Sequence, residues 1–495
     1  MTTTKPMKLL VATLVLGVLA CGDPDAERDG GPDALQPDGG QRDAPASDSS
    51  QPDASQSDAA QADATARADV ADGGPIGVDV MPIEDGGPGL GSTRYVGSMP
   101  AFRMELADAS GNIVCRVQDN PDPTARPVAT DCPDGLFTEQ LFDERGDRVG
   151  IDRPVNINAK FTRYEEVHSD DLRIVDLTSP VDRFDEGPAD LTGAPGDANF
   201  RVTCQFSHFS YDDPIVYPGD PGAAHLHMFW GNTRTDAFTT TTESLVEAGG
   251  GTCNGFELNR SAYWTPALVD GDGNALIPQQ IIIYYKTKNL NEPGITEVQP
   301  MPQGLRLIAG ASASSGPFSL PPSHEEQRLF WSCGRSGSVR NRSAQVPQCE
   351  EGEQVNATIY FPQCWNGVDL DSPNHRDHVA RVNVGAPCPE THPVRIPELG
   401  FLLYYEQSGD TSEWRLDSDH EHGGEMVRGG SLHADWIAGW SDDAMDLWLD
   451  GCIRTGRNCT LGQTGTAQTL ERLNGTESDS WPGPYAVEAP ARPSR

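Results

Sequence analysis

Between residues 92 and 465 the chain contains many short apolar runs, most of which alternate with polar residues. This pattern predicts half-buried β-strands. The runs are rich in β-branched and aromatic residues, which favour the pleated surface of a sheet. Clusters of Gly, Asn, Asp and Ser separate them and mark turns. The strands predicted in this way are 102–106, 113–117, 155–161, 280–286, 305–308, 355–361 and 401–405.

Two short helices are predicted among these strands. Thr240 and Glu243 have the spacing of a capping box, and Gly249 would end the helix that follows. Ser441 can cap a second helix, because acidic residues occupy positions 442 and 443 and suit the positive end of the helix dipole.

The first 21 residues have the pattern of a bacterial export signal. Lys5 and Lys8 precede the apolar stretch 9–20, which is too short to span a membrane but long enough for a signal-peptide core. The following Cys21 completes the sequence Val-Leu-Ala-Cys, which resembles a lipobox, where the cysteine is diacylated and becomes the mature N-terminus. We therefore expect a lipoprotein signal peptide over 1–21 and an exported protein anchored at the bacterial cell envelope. The alternative is an ordinary secretory signal followed by an accidental cysteine.

Composition divides the rest of the 495-residue chain into four parts. Residues 22–91 are almost wholly Asp, Ala, Gly, Pro, Ser and Gln, which cannot bury enough apolar surface to fold, so a disordered tether is expected. Residues 92–197 are expected to form a small β region, either separate or added as a sheet to the next domain. The main domain is expected over 198–465, and the polar segment 466–495 is expected to be a loose tail.

The net charge of −38 argues against nucleic acid and against an anionic membrane surface as partners. Membrane contact is therefore expected only through the lipid anchor. Nucleotide binding is not expected, because the sequence lacks a P-loop motif and lacks G-x-G-x-x-G between a strand and a helix.

Ten cysteines remain once Cys21 is set aside, and an even number in an exported chain indicates up to five disulfides. Spacing does not determine their connectivity, although Cys115–Cys132 and Cys452–Cys459 are close along the chain. Taken with the strand pattern, the cysteines predict a mainly β fold. The main domain would be a disulfide-stapled β-sandwich or jelly-roll-like structure with long loops and a few short helices.

Several long motifs carry a family resemblance. The segment from Cys204 to Thr233 contains HFSYDDP and HLHMFWGN, and LNRSAYW, LDSPNHRDHV and SLHADW follow in order. Together these motifs, spread over about residues 200–459, resemble a secreted family of domains of unknown function numbered nineteen-ninety-six. That family occurs in fungi and bacteria, and in fungi it is sometimes joined to WSC carbohydrate-binding domains. The resemblance thus implies a polysaccharide or cell-wall setting and no particular activity.

Histidines and aspartates within these motifs are candidates for chemistry. His225 and His227 would project from one face of a strand, as would His433 and Asp435, so these four residues are candidate ligands of one divalent metal ion. They are also catalytic candidates, and the other catalytic candidates are His208, Asp213, Tyr263 and Asp371. His375 and His378, three residues apart, could meet on a helical turn. The alternative for each group is a set of hydrogen-bonded histidines that brace loops.

Aromatic and amide side chains lie close to these groups in the sequence. In carbohydrate-binding sites, aromatic rings stack on the C–H faces of sugars and amides form hydrogen bonds with the hydroxyl groups. The alternative is that the tryptophans are core residues of a sandwich. The candidate substrate-binding residues are Trp230, Asn232, Asn259, Trp264, Lys286, Trp365 and Trp440.

Two reactions fit these residues. A glycoside hydrolase needs two carboxylates, which Asp213, Asp371 and Asp435 could supply. A polysaccharide lyase needs a histidine or Tyr263 as base, with Lys286 or a metal to stabilise the negative charge. The sequence has no G-x-S-x-G and no H-E-x-x-H motif, and its cysteines are expected to be oxidised. We therefore expect a polysaccharide hydrolase or lyase, with a non-catalytic carbohydrate- or cell-wall-binding protein as the alternative.

Overall fold

The computed structural model describes most of the chain after residue 93. The described residues are 94–117, 120, 122–123, 126–130, 132–158, 184–186, 198–246, 249–287, 297–311, 319–321, 328–335, 339–383, 385–407, 409–422, 427–466, 468–473 and 481–493. The expected signal peptide, Cys21 and the tether lie outside them. Within the described residues, no helix has both the length and the apolar character needed to cross a membrane.

The described chain is mainly β, as predicted, and each of the seven predicted segments overlaps a strand. The strands as far as residue 231 are β1 (Arg94–Val96), β2 (Arg103–Ala107), β3 (Ile113–Val117), β4 (Val128–Thr130), β5 (Gly135–Phe142), β6 (Arg153–Ile157), β7 (Phe184–Glu186), β8 (Asn199–Cys204), β9 (Phe206–Ser210) and β10 (His227–Gly231).

The later strands continue this numbering. They are β11 (Ala262–Pro266), β12 (Leu268–Val269), β13 (Asn274–Leu276), β14 (Gln280–Lys286), β15 (Arg306–Gly310), β16 (Leu329–Gly334), β17 (Arg340–Ser343), β18 (Gln354–Tyr360), β19 (Cys364–Trp365), β20 (Val379–Ala380), β21 (Val394–Arg395), β22 (Glu398–Glu406), β23 (Arg415–Leu416), β24 (His433–Ile437), β25 (Gln468–Leu470) and β26 (Ala486–Glu488).

Both predicted helices form. Helix α1 (Thr242–Val246) begins one residue later than the capping-box prediction, because Thr241 Oγ1, rather than Thr240, accepts from the Ser244 amide at 3.1 Å. Helix α2 (Asp442–Trp448) has the predicted cap, Ser441, whose hydroxyl accepts from the Ala444 amide at 3.3 Å. The described chain also contains a π-helical turn and two 3₁₀ segments, at Leu449–Ile453, Phe256–Leu258 and Asp417–His422.

Two large antiparallel sheets pack face to face. The first has nine strands in the order β15-β24-β11-β10-β9-β6-β5-β2-β3, and the second has six in the order β17-β16-β18-β22-β14-β8. Their shared core contains Trp230 and Tyr263 of the first sheet, whose rings lie 5.3 and 5.6 Å from the ring of Phe401 in the second. The β-sandwich is confirmed, whereas jelly-roll connectivity stays a prediction.

The N-terminal strands continue the nine-stranded sheet instead of forming a separate one. Val155 of β6 pairs with His208 of β9, and the Asn156 side chain donates to the Phe206 carbonyl at 2.8 Å. A small apolar cluster that includes Met104, within β2, packs beneath this extension. Of the two alternatives left open by the sequence, the added sheet is therefore the arrangement in the structure.

The C-terminal segment is not a loose tail in its described parts, 468–473 and 481–493. Strand β25 pairs with β7, and β26 pairs with β13. Trp481 is only 6% exposed, and the Tyr211 hydroxyl donates to the Pro490 carbonyl at 3.0 Å. The segment is mainly polar in composition, so the sequence did not indicate that a few buried apolar residues hold it against the rest of the fold.

Five disulfides form among the described residues, in agreement with the cysteine count. Each joins cysteines that are consecutive among the ten, including the two close pairs noted in the sequence. They are Cys115–Cys132, Cys204–Cys253, Cys333–Cys349, Cys364–Cys388 and Cys452–Cys459.

Candidate functional site

The candidate site lies on the outer face of the nine-stranded sheet, which is turned away from the sandwich core. In the strand register Phe229 of β10 is opposite Trp264 of β11, and Trp264 is opposite Asp435 of β24. His227 and His433 stand two residues before Phe229 and Asp435. Because side chains two apart share a face of a strand, all five project to the same side.

Three histidines converge on this face. The ring of His225, just before β10, lies 4.3 Å from the ring of His227 and 5.1 Å from that of His433, and the latter two rings are 5.9 Å apart. One nitrogen from each of the three lies within 4.8 Å of the others. His227 is buried, whereas His225 and His433 are partly exposed, so the group is accessible from one side.

Hydrogen bonds to backbone carbonyls determine which ring nitrogen of His227 and of His433 is free to bind a metal ion. Nδ1 of His227 donates to the Asp212 carbonyl at 2.9 Å, and Nδ1 of His433 donates to the Ser431 carbonyl at 2.8 Å. A carbonyl can only accept, so in the neutral rings the lone pair is on Nε2. Such a bond at the second nitrogen is the usual support of a metal-binding histidine.

Two buried carboxyl groups complete the group, which we call the His/Asp cluster: His225, His227, His433, Asp213 and Asp435. Ligand atoms of Asp213, His227 and Asp435 lie within 4.8 Å of one another, and Asp435 Oδ2 is 3.9 Å from Nε2 of His433. Burial raises the pKa of Asp213 to about 6. The pKa of Asp435 is raised well above its ordinary value, mainly by burial and to a lesser extent by the negative charge of Asp213.

Asp371 does not join the cluster but pairs with a histidine of its own loop. Nδ1 of His375 lies 3.0 Å from each carboxylate oxygen of Asp371. The predicted meeting of His375 and His378 does not occur, because Nδ1 of His378 accepts from the Ser372 hydroxyl and its Nε2 donates to the Arg306 carbonyl. The separation of four residues between Asp371 and His375 was a signal in the sequence for the pair that does form.

Two other catalytic candidates have structural surroundings. His208 is fully buried, donates to the Thr235 carbonyl at 2.9 Å and stacks on Phe229, and burial lowers its pKa well below the ordinary value. The hydroxyl of Tyr263 bonds to that of Tyr285 at 2.8 Å within the core. Strand alternation places Tyr263 on the inner face, so it cannot reach the cluster.

The candidate substrate-binding residues are also dispersed. Trp230, Trp264 and Trp440 are 0% exposed, so their rings offer no face to a sugar and we withdraw them as stacking residues. Lys286 lies over the ring of Tyr360 at 3.8 Å, at the end of a strand of the six-stranded sheet.

The remaining three candidates lie in loops or near strand ends. The Asn232 amide donates to the Leu245 carbonyl at 2.6 Å, and that of Asn259 donates to the Tyr263 hydroxyl at 2.9 Å, so both brace the local backbone. Trp365 is partly exposed and donates to the Asp369 carbonyl at 2.7 Å.

Two exposed aromatic side chains, on loops joined to the backbone of Asp213, were not predicted. Tyr217 is 43% exposed and Phe238 is 44% exposed. The amide of Tyr217 donates to the Asp213 carbonyl at 2.9 Å, and the Gly219 amide donates to the Ala237 carbonyl, which joins the two loops. Both residues lie in turn-rich segments where the sequence pattern does not indicate which rings are exposed.

Comparison with known proteins gives one match. Residues 213–440 match the family model described as Domain of unknown function (DUF1996). No curated protein and no solved structure matches the chain. The matched range contains the whole His/Asp cluster and the Asp371–His375 pair. Over residues 213–440, the chain is therefore similar to the DUF1996 family, in agreement with the resemblance of its sequence motifs.

Proposed function

We propose that the protein is a metal-dependent hydrolase that cleaves extracellular polysaccharide at the His/Asp cluster. The observation that carries the proposal is the convergence of three histidine nitrogens within 4.8 Å of one another, beside two buried carboxyl groups. His225, His227 and His433 would hold one divalent ion, with Asp435 as the adjacent carboxylate ligand. Asp213 would remain available as a base.

The ligand set indicates a first-row ion such as Zn²⁺. Neutral imidazole nitrogens and carboxylate oxygens suit such ions, and an incompletely filled coordination shell leaves a position for water. The bound ion would make that water more acidic and hence a better nucleophile. It would also stabilise the ionised forms of Asp213 and Asp435, which burial and their mutual repulsion disfavour.

The positions of the candidate bases favour hydrolysis over elimination. Two of the groups that a lyase could use, Tyr263 and Lys286, lie in the core and in the other sheet. The carboxyl groups needed for hydrolysis are at the cluster itself. Asp213, whose carboxylate oxygen lies within 4.8 Å of ligand atoms of His227 and Asp435, would accept a proton from a water molecule held by the ion.

Two exposed aromatic rings on joined loops support a sugar substrate. Sugars present C–H faces that stack on aromatic side chains. Tyr217 and Phe238 occupy joined loops, one of which begins at Asp213. An exported protein on a long tether would meet such a polymer outside the cell, and we propose lipidation of Cys21 as its anchor at the bacterial envelope.

Product analysis tests the proposal. The purified full chain is stripped of metal and then reloaded with Zn²⁺ or Mn²⁺. It is incubated with neutral and uronic-acid polysaccharides, and the masses of the products are measured by mass spectrometry. We expect shortened chains that carry one added water, formed only with metal. His225→Ala should abolish them, whereas His392→Ala, at another partly exposed histidine outside the cluster, should not.

Two outcomes would overturn the proposal. Unsaturated chain ends would identify a lyase instead of a hydrolase. Retention on one polysaccharide without any product would identify a carbohydrate-binding protein in which the cluster is structural.

A further inference from the structure

His375 and Asp371 form a hydrogen-bonded pair that is open to solvent on one side. Nδ1 of His375 donates to the Asp371 carboxylate, at 3.0 Å from each oxygen, so Nε2 is directed away from that carboxylate. The two side chains are 25% and 23% exposed, which leaves them accessible to a substrate. A carboxylate at one ring nitrogen is the usual support of a histidine that exchanges protons at the other.

The backbone holds His375 in a fixed and uncommon conformation. Its φ of 56° lies in the left-handed region that residues other than glycine rarely occupy. Its amide donates to the Ser372 carbonyl at 2.7 Å, and the Ser372 hydroxyl accepts from the Arg376 amide at 3.1 Å. The Cys364–Cys388 disulfide closes the surrounding segment. Such a rigid loop suits a group that must be precisely oriented towards a reacting bond.

The same loop lies against the sheet beside the His/Asp cluster. The Leu370 carbonyl accepts from the Arg306 amide at 2.9 Å, and the Arg376 guanidinium contacts the Gly310 carbonyl at 3.5 Å. Gly310 is opposite His433 in the register of β15 and β24. The loop therefore reaches the strand next to one that carries a cluster histidine.

Charges of this loop act on both buried carboxyl groups of the cluster. Burial raises the pKa of Asp213, and the charge of His375 opposes this effect. Burial and the charge of Asp213 raise the pKa of Asp435, and the charge of Arg376 opposes them. His375 is thus hydrogen-bonded to Asp371 and interacts electrostatically with Asp213, and Arg376 is its neighbour on the same loop.

We propose that His375 is the general acid of the hydrolysis and that Asp371 is the residue that positions it. The inference rests on the proposed function and adds the group that protonates the leaving oxygen. The three cluster histidines and Asp435 would hold the metal ion, which would make a nearby water more acidic. That water would give its OH to the anomeric carbon and its proton to Asp213. The bond between that carbon and the glycosidic oxygen breaks, and the oxygen takes the proton from Nε2 of His375. Solvent then returns one proton from Asp213 to His375.

A comparison of leaving groups tests this role. The metal-loaded full chain is assayed on the polysaccharide that it cleaves and on the dinitrophenyl glycoside of the same sugar, whose leaving phenolate needs no proton. For His375→Ala we expect kcat on the polysaccharide to fall by about 10²- to 10⁴-fold, and kcat on the glycoside by less than about tenfold. Asp371→Asn should show the same difference with a smaller loss. Asp369→Asn, at an exposed aspartate of the same loop, should change neither rate.

The outcomes separate this inference from the proposed function. Metal content measured in parallel should be unchanged, because neither His375 nor Asp371 is a proposed ligand. Equal losses on both substrates, or no loss at all, would assign the pair a structural role and overturn the inference while the hydrolase stands. If the unmodified chain releases no hydrolytic product, the proposed function fails and the general acid fails with it.

Discussion

Replacing Asp213 by Asn tests whether the cluster places an ionisable carboxyl in a buried site. Oδ1 of Asp213 accepts from the amides of Ile215 and Val216, both at 2.9 Å. An asparagine oxygen can accept the same two bonds, so the substitution removes the charge and keeps the local fold. Asp213 is only 3% exposed, so its ionised form is poorly solvated.

The size of the effect follows from the pKa. Burial raises the pKa of Asp213 from 3.8 to about 6, and at 1.36 kcal/mol per unit this corresponds to about 3 kcal/mol. Below pH 3.8 both the folded and the unfolded states hold the proton, so there is no penalty. As the pH rises towards 6, the unfolded chain releases its proton first, so the free energy of unfolding falls, and the full penalty is present above pH 6.

Denaturant unfolding of the metal-free protein measures this difference. In the presence of a chelator, Asp213→Asn should be more stable than the parent by about 3 kcal/mol at pH 8 and nearly equal to it at pH 4. Relief of the repulsion on Asp435 adds in the same direction. A variant that is no more stable than the parent at pH 8 would refute the buried, ionised carboxyl and, with it, the need for a cation beside it.

Substitutions at three further sites test the fold that supports the cluster. Removing the Cys204–Cys253 disulfide, which closes 49 residues, by changing both cysteines to alanine should lower the free energy of unfolding by about 4 kcal/mol; an unchanged denaturation midpoint would argue against the bond. Ser441→Ala should reduce stability by about 1 kcal/mol through loss of the α2 cap, and Ser441→Asp should restore it. Trp481→Ala should cost about 3 kcal/mol and make the C-terminus sensitive to protease, whereas a loose tail would show neither change.

Local patterns in the sequence predicted most of the strands but not all of those that position the cluster. In β14 buried and partly buried residues alternate, and the predicted range is the observed one. In β9 and β10 every residue is buried, because loops cover the outer face of the sheet and the sandwich core covers the inner face. Such strands lack the alternation on which the prediction depends.

The cluster itself was predictable only in halves. The two-residue spacings of His225 with His227 and of His433 with Asp435 indicated shared faces. That the two halves meet depends on β11, which pairs with both β10 and β24 and brings together residues more than 200 positions apart. The burial of Trp264 was not predictable, because the presence of an aromatic residue in a strand does not show whether loops cover that face of the sheet.

Metal binding by the purified chain is the most direct test of the central claim, that the His/Asp cluster holds one divalent ion. Calorimetric titration of Zn²⁺ into the chelator-treated protein should show one ion per chain. His225→Ala and His433→Ala should abolish this binding, and His392→Ala should retain it. No binding by the unmodified chain, or equal binding by all three variants, would contradict the account.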